Sequence, residues 1–149
     1  MAARRAIFSI KAGPNQGDTV GVDLGGCRLI GRHLSDNETA FLDRDGNRKL
    51  DATASQLLSE HVREQAGESP SSARNPDAAY TRGPDIIFSD DAISRAHAMV
   101  YFDGSGAMGI IDLASTNGTF VNDQRVSSAS LQEGDRVSLG SSHLIISVM

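Results

Sequence analysis

The sequence predicts an all-β protein built as an antiparallel β-sandwich, and three observations support this prediction. Short stretches rich in apolar residues recur through residues 5–32 and 85–149. Asp-Gly, Asn-Gly and Glu-Gly-Asp turn signals separate these stretches, and no helical periodicity lies between them. Many short strands at close spacing are typical of two packed sheets with antiparallel connections.

Length and composition limit the chain to an ordinary globular class. Its 149 residues and 39% hydrophobic content suit one domain with a buried core, and we expect that domain to span residues 1–149. The net charge of -5 at pH 7 argues against general binding to nucleic acid or to anionic membranes. Cys27 is the only cysteine, so no internal disulfide can form, and we expect a cytoplasmic protein.

The first group of strands is predicted at residues 5–10, 19–24 and 27–32, with a Gly-Gly turn before the third. The arginines ahead of the first stretch superficially resemble the start of a signal peptide. However, the apolar stretch ends at Lys11, which is too early for the hydrophobic region of such a peptide. The start of the chain is therefore predicted to be a β-strand.

The second group contains more predicted strands, again separated by turns. They lie at residues 85–88, 97–102, 108–113, 119–121, 136–140 and 143–148. Residues 104–109 within this group match the GxGxxG spacing of a dinucleotide-binding turn, which needs a helix on its far side. Because both flanks of residues 104–109 are strand-like, a hairpin turn is the better interpretation.

The segment at about residues 33–84 differs from its flanks. Within it, residues 51–65 show an amphipathic helical pattern, whose apolar face carries Leu57, Leu58 and Val62. Residues 66–84 are rich in Pro, Ser and Ala and have no periodicity, as is typical of a linker. A partly helical or disordered inserted loop is therefore expected between the two groups of strands.

The sequence offers little evidence for a catalytic or a metal-binding site. The acidic stretch at residues 43–51 resembles a calcium loop, but its Gly comes too early and Ala54 stands where the last Glu ligand is needed. The four histidines share no metal-ligand spacing with Cys27 or with each other. Nothing marks a nucleophile together with its base. We therefore expect no enzyme activity, no cofactor and no bound metal.

Three polar clusters carry a more specific pattern. They are Gly-Arg at residues 31–32, Ser-Arg-Ala-His at residues 94–97 and Ser-Thr-Asn-Gly-Thr-Phe-Val-Asn at residues 115–122. In this order, and followed by Glu-Gly-Asp-Arg-Val-Ser-Leu-Gly, they resemble the forkhead-associated (FHA) domain family, whose members read phosphothreonine peptides. The resemblance covers both groups of strands, and it is most specific across residues 85–98 and 112–122.

The resemblance implies the fold and the chemistry of the family. The fold would be an FHA/SMAD-like β-sandwich of about eleven strands, with the ligand held by loops at one end. The ligand would be a phosphothreonine, which carries about -1.5 to -2 charges and three strong acceptor oxygens. Arginine guanidinium groups, small hydroxyls and backbone N–H groups are the donors that such a group requires.

The resemblance also implies roles for individual residues. The phosphothreonine would be bound by Arg32, Ser94, Arg95 and Thr116. Thr116 would line the pocket beside the threonine methyl group, which discriminates against phosphoserine. Asn117 would bond to the peptide main chain. Structural support for the loops would come from Gly31, His97, Gly118 and Asn122, with Gly118 at positive φ.

One departure from the family pattern is large. A short loop usually joins the Gly-Arg strand to the next strand, whereas here the insertion at about residues 33–84 separates them. The next strand corresponds either to residues 38–42 or to residues 85–88, and the spacing to Ser94 favours the second. The insertion would leave the sandwich at its phosphate end, where it would cap the pocket, bind in cis or be inert. Some family members carry a basic residue two places before the pocket Ser and prefer an acidic residue three places after the phosphothreonine. Here that position is Ala92, so the preference for residues around the phosphothreonine stays open.

We therefore expect a phosphothreonine-binding module that acts as a signalling adaptor downstream of a Ser/Thr kinase. Its partner would be a phosphothreonine-containing protein, either the kinase or a kinase substrate, with no nucleic acid, membrane or metal involved. The alternative is a phosphate-independent structural or assembly module that uses a face of the sandwich or the inserted helix.

Overall fold

The computed structural model describes residues 5–34, 56, 81–102 and 107–148, and these ranges are built mainly of β-strands. The strands are β1 (Arg5–Ala12), β2 (Thr19–Asp23), β3 (Gly26–Arg32), β4 (Thr81–Arg82), β5 (Ile86–Phe88), β6 (Ala98–Phe102), β7 (Met108–Asp112), β8 (Thr119–Val121), β9 (Gln124–Val126), β10 (Ser128–Leu131), β11 (Arg136–Leu139) and β12 (Ser142–Val148). The predicted all-β fold is confirmed.

The strands form two six-stranded sheets. Sheet A has the order β2-β1-β12-β11-β8-β9. Sheet B has the order β10-β7-β6-β3-β4, and β5 also pairs with β3. All pairings within sheet A are antiparallel, and those of β10, β7, β6 and β3 in sheet B are antiparallel as well. The predicted antiparallel sandwich describes both sheets except at the β3 edge.

The core lies between the two sheets because side chains alternate along each strand. In β1, Ala6, Phe8 and Ile10 are buried, whereas the residues between them are less buried. The same alternation in other strands adds the largest side chains of the core, which include Phe88, Phe102, Leu139 and Leu144. Burial of this apolar surface is the main force that holds the two sheets together.

Among the described strands, the parallel pairings of sheet B are those that β3 makes with β4 and β5. Gly26 and Cys27 of β3 are in register with β4, and Ile30 to Arg32 are in register with β5, both in the parallel sense. A strand, β5 at Ile86–Phe88, is present at the favoured position for the strand after the insertion, residues 85–88. The alternative at residues 38–42 lies outside the described residues.

The structure adds strands that the sequence pattern does not reveal. Strands β9 and β10 lie at sheet edges. Their side chains are mostly exposed and polar, so the sequence shows no alternation of apolar residues there. Strand β4 is only two residues long. Consecutive strands β6 and β7 pair in antiparallel register, as a hairpin interpretation of residues 104–109 requires, but residues 103–106 of the turn lie outside the described residues.

The remaining predictions for the insertion fall on residues that are not described. The predicted helix over residues 51–65 lies outside the described ranges, apart from Gln56, which has helical backbone and an exposed side chain. The acidic stretch at residues 43–51 also lies outside them. No described helix is long and apolar enough to cross a bilayer.

Candidate functional site

Three chain segments meet at one end of the sandwich. They are the end of β3 at Arg32, the loop of residues 89–97 between β5 and β6, and the loop of residues 113–118 between β7 and β8. Strands β3 and β5 run parallel, so both deliver their following residues to the same end of sheet B. The three predicted polar clusters are therefore brought together here, with the exception of Asn122.

The backbone and side chain of Arg32 are both tied to the β5–β6 loop. The Arg32 backbone N–H donates to the carbonyl oxygen of Ser94 over 3.1 Å. Its Nε donates to the carbonyl oxygen of Ile93 over 3.1 Å, and Nη1 donates to that of His33 over 3.1 Å. These bonds use two of the five N–H donors of the guanidinium, and they fix the plane of the partly exposed group beside Ser94.

The second and third segments are joined by hydrogen bonds that involve the predicted binding residues. The Thr116 backbone N–H donates to Ser94 Oγ over 3.0 Å, and Asn117 Nδ2 donates to the carbonyl oxygen of Ala92 over 2.8 Å. The side chains of Thr116 and Asn117 are exposed, and Ser94 is partly exposed. Since a hydroxyl both donates and accepts, Ser94 Oγ can accept from Thr116 and still donate its own proton.

His97 is buried between the loops and bonds to both of them. Its Nδ1 accepts a hydrogen bond from the Ser94 backbone N–H over 3.0 Å, and its Nε2 lies 2.9 Å from the carbonyl oxygen of Gly118. An N–H group can only donate, so Nδ1 carries no proton and Nε2 donates to Gly118. Burial lowers the pKa of His97, while the bond to Gly118 and the nearby carboxylates of Asp112 and Asp90 oppose that shift. The ring is therefore held neutral in one tautomer.

The β7–β8 loop is shaped by the carboxylate of Asp112. Its Oδ2 accepts from the Ser115 backbone N–H over 3.1 Å, while Oδ1 accepts from the hydroxyls of Ser115 and Thr119, the latter over 2.8 Å. Ser115 Oγ in turn accepts from the Gly118 backbone N–H over 3.0 Å. Ser115 and Thr119 are buried, and their hydroxyls bond within the turn, whereas Thr116 faces solvent.

A second carboxylate, that of Asp90, anchors the β5–β6 loop to the β11–β12 turn. Its Oδ1 accepts from the Ala92 backbone N–H over 2.9 Å. Its Oδ2 accepts from the Ser141 backbone N–H and from the Ser142 hydroxyl, each over 2.8 Å. Asp90 is 3% exposed, and its burial is offset by these three donors. The turn comes close because Gly140 has no side chain: a Cβ there would lie 2.9 Å from the Ala92 carbonyl carbon.

Gly118 confirms the prediction of positive φ and brings one more cation to the site. Its φ is +87°, a value that favours glycine. A Cβ at Gly118 would lie 2.7 Å from Arg125 Nε, so the exposed Arg125 side chain packs directly against the loop that carries Thr116 and Asn117. Together with Arg32 and the exposed Arg95, three guanidinium groups belong to this end of a chain whose net charge is -5.

Sequence analysis missed Asp90, Asp112 and Arg125. An Asp that bonds to the backbone N–H two residues later is a recognised turn pattern, and this pattern describes Asp90 and Ala92. A similar local pattern, an Asp three residues before a Ser, describes Asp112. Arg125 reaches the site through strand pairing of β8 with β9, and no feature of its local sequence indicates that proximity.

Two of the predicted support residues lie apart from the ligand-facing side chains. Gly31 is buried within β3 and is in register with Ile87 of β5. Asn122 lies at the far end of β8, where its Oδ1 accepts from the Arg136 backbone N–H over 3.0 Å and its Nδ2 donates to Asp135 over 3.1 Å. Asn122 therefore ties the β8–β9 turn to the start of β11.

The side chains gathered at this end of the sandwich include cations and hydrogen-bond donors. Partly exposed Arg32, the Ser94 hydroxyl and the exposed Thr116 side chain lie on neighbouring, mutually bonded segments. Guanidinium and hydroxyl donors in a rigid arrangement suit the tetrahedral oxygens of a phosphate group. Within the described ranges, no group of three or more His, Cys, Asp or Glu side chains is arranged to hold a metal ion.

Comparison with known proteins places the chain beside one family. The family model of the FHA domain matches residues 74–140. The glycogen accumulation regulator GarA of Mycolicibacterium smegmatis is 39% identical over 75 residues, which cover 50% of this chain and 43% of GarA. The chain thus spans less than half the length of this relative.

Solved structures show the same fold over nearly the whole chain. The FHA domain of CT664 from Chlamydia trachomatis has a TM-score of 0.57 at 21% identity, with 95% of each chain covered. An FHA domain studied for its phosphothreonine-dependent interactions has a TM-score of 0.54 at 20% identity, with 95% of this chain and 94% of its own covered.

Proposed function

We propose that this chain, which carries an FHA domain, binds proteins phosphorylated on threonine through the loops that hold Arg32, Ser94 and Thr116. The observation behind this proposal is that hydrogen bonds link those three residues at one end of the sandwich. Arg32 is bonded to the β5–β6 loop through its backbone and its side chain, and Ser94 is bonded to Thr116. A bound phosphate would meet donors that are already in place, so little ordering is required on binding.

The proposed roles are those that the family resemblance implies, and the exposure and bonding of the side chains support them. Arg32 would supply a charged planar donor, Ser94 would donate its hydroxyl proton, and Arg95 would add positive charge. The exposed Thr116 would contact the methyl group of the phosphothreonine. Asn117 has a second N–H and a carbonyl oxygen besides the N–H that bonds to Ala92, and these would bond to the peptide backbone.

The domain is proposed to act by binding and without catalysis, as a signalling adaptor downstream of a Ser/Thr kinase in the cytoplasm. Although Ser94 and His97 are close, the ring accepts from the Ser94 backbone N–H and not from its hydroxyl. A nucleophilic serine needs its hydroxyl bonded to the base. The proposed domain comprises residues 1–149 as one unit, with the insertion at about residues 33–84.

The experiment is a calorimetric titration of the full chain with a degenerate phosphothreonine peptide library. Matched phosphoserine and unphosphorylated libraries serve as controls. Charge-assisted hydrogen bonds contribute about 1.5–3 kcal/mol each, so we expect micromolar affinity for the phosphothreonine library and none for unphosphorylated peptides.

The same titration tests the alternative function. A phosphate-independent assembly module would bind a protein partner without regard to phosphorylation. Binding of the unphosphorylated library with equal affinity would overturn the proposal, as would the absence of binding to all three libraries.

A further inference from the structure

Arg125 is a cation beside the proposed site that the proposed phosphothreonine contacts do not use. It belongs to β9, the edge strand of sheet A, and its side chain is exposed. In the pairing of β8 with β9 it is in register with Phe120. The neighbours of Phe120 in β8 are buried, so Phe120 and Arg125 both point to the outer face of sheet A. Arg125 therefore approaches the site from that face.

The end of the Arg125 side chain lies against the backbone of Gly118. A Cβ at Gly118 would lie 2.7 Å from Arg125 Nε, 3.1 Å from Cζ and 3.3 Å from Cδ. The guanidinium can come this close because glycine has no Cβ. Gly118 directly follows Asn117, which is exposed and is proposed to bond to the peptide main chain. The guanidinium therefore lies next to the part of the loop that would hold the peptide.

The Arg125 guanidinium is not engaged by an acidic side chain of the described protein. Two other exposed arginines, Arg5 and Arg136, each pair with an aspartate. Within the described ranges, Arg125 has no such partner. The carbonyl oxygen of Gly118 is directed to the buried ring of His97, so it faces the interior of the loops. The donors of Arg125 are therefore available to a ligand.

The carboxylates of the neighbouring loops are already occupied. Asp90 and Asp112 each accept hydrogen bonds from three donor groups. The positive charge of Arg125 is therefore left for a group outside the loops. A planar fork of N–H donors matches the two oxygens of a carboxylate. A cation at the rim of an interface favours partners with a complementary negative charge and disfavours those with a positive one.

We propose that Arg125 is a specificity-determining residue, which selects an acidic side chain of the partner close to the phosphothreonine. This inference rests on the proposed function, because the loops must hold the phosphothreonine before Arg125 can meet a neighbouring residue. An Asp or Glu carboxylate would pair with the guanidinium, beside the half-buried ring of Phe120. Exposed ion pairs contribute little, so the preference should be about two- to fivefold in affinity.

The test is calorimetric titration of the full chain with phosphothreonine peptides that carry one Asp at each position near the phosphothreonine in turn. Each is compared with the same peptide carrying Asn, which has the same shape without the charge. At one or two positions we expect Asp to bind about two- to fivefold more tightly than Asn. Arg125→Gln should remove this difference. Arg136→Gln is the matched control, since it removes the same charge from the far end of sheet A and should keep the difference.

A second variant, Arg125→Glu, should reverse the preference at the same positions, so that Lys binds more tightly than Asp. Three results would overturn the inference while phosphothreonine binding stands. They are no preference for Asp in the unsubstituted chain, a preference that survives in Arg125→Gln, and equal weakening of the Asp and Asn peptides in that variant. The last result would mean that Arg125 acts on the phosphate or on the loop. Absence of binding to every phosphothreonine peptide would instead reject the proposed function, and this inference with it.

Discussion

Ser94 and Thr116 are joined by a single hydrogen bond, in which the Thr116 backbone N–H donates to Ser94 Oγ over 3.0 Å. The two residues are 22 positions apart and belong to different loops. This bond fixes the spacing between the two hydroxyl-bearing side chains of the proposed site. Ser94 therefore holds the two loops together in the free protein, in addition to its proposed role toward the ligand.

Replacing Ser94 should therefore weaken phosphopeptide binding more than the loss of a surface hydroxyl would suggest. In Ser94→Ala we expect about a 10- to 100-fold loss of affinity, since one charge-assisted bond and the tie to Thr116 both disappear. Calorimetric titration with a phosphothreonine peptide measures the effect. Ser89→Ala, an exposed serine at the start of the same loop, is the control and should bind normally. Equal affinity in both variants would contradict the role of Ser94.

Arg32 should be indispensable for binding. We expect Arg32→Ala to abolish measurable phosphopeptide binding, because the charged planar donor next to Ser94 is lost. Arg32→Lys should bind weakly, since a point charge cannot reproduce the bonds of Nε and Nη1 to the backbone. The measurement is calorimetry, with thermal unfolding as a check of folding. A folded Arg32→Ala variant with unchanged affinity would refute the site.

The protein should lose stability in mild acid because of His97. Burial holds the pKa of this residue below its ordinary value of 6.5, so the unfolded chain binds the proton more readily. The free energy of unfolding from this group is therefore fully present above pH 6.5 and falls as the pH drops toward the lowered folded-state pKa. Protonation of Nδ1 also breaks the bond from Ser94.

Urea unfolding at a series of pH values measures this loss. Protonation of the His97 ring lowers the free energy of unfolding below pH 6.5, and this contribution should be absent in His97→Gln. The exposed His143 provides the control, and His143→Gln should retain the decline. An identical pH dependence in His97→Gln and the unsubstituted protein would show that His97 is not the cause.

Asp112 should contribute more to stability than an ordinary surface carboxylate. Asp112→Ala leaves the buried hydroxyls of Ser115 and Thr119 without their acceptor, which we expect to cost about 2–4 kcal/mol of unfolding free energy. Denaturant unfolding provides the measurement. Asp18→Ala removes an exposed carboxylate and should change stability by less than about 0.5 kcal/mol. Comparable losses in the two variants would argue against the Asp112 network.

Gly118 and Gly134 separate backbone strain from crowding. Both have φ near +90°, so alanine at either position should cost about 1–2 kcal/mol through the backbone alone. A Cβ at Gly134 meets nothing within 4 Å, whereas one at Gly118 meets Arg125. We expect Gly118→Ala to be the less stable variant in denaturant unfolding and to lose phosphopeptide affinity, while Gly134→Ala keeps it. Equal stability and equal affinity in the two variants would show that the contact with Arg125 is unimportant.

Sequence patterns predicted the fold well where one face of a strand is buried. Strands β1, β6 and β12 show apolar alternation or apolar runs, and all three were predicted. Edge strands β9 and β10 escaped because little of their surface is buried. The parallel pairing at β3 was also missed, since pairing direction across a long insertion leaves no mark on local sequence.

For the site, sequence revealed the residues that face solvent better than those that hold them. Ser94, Thr116 and Asn117 came from the family resemblance, and the structure places them on two bonded loops. Asp90 was overlooked because its partners, Ser141 and Ser142, are about fifty positions away and their proximity depends on the tertiary fold.

The pairing of β1 with β12 has a consequence for the order of events during synthesis. Sheet A has β1 between β2 and the last strand, so β1 gains its second neighbour only when β12 has been made. The anchor of the β5–β6 loop at Ser141 and Ser142 appears equally late. The loops of the proposed site therefore cannot acquire their final shape before β12 has been made, and contacts so distant along the chain are typical of slow folding. A nascent chain that ends before β12 should not bind phosphorylated partners, although it already contains Arg32, Ser94 and Thr116.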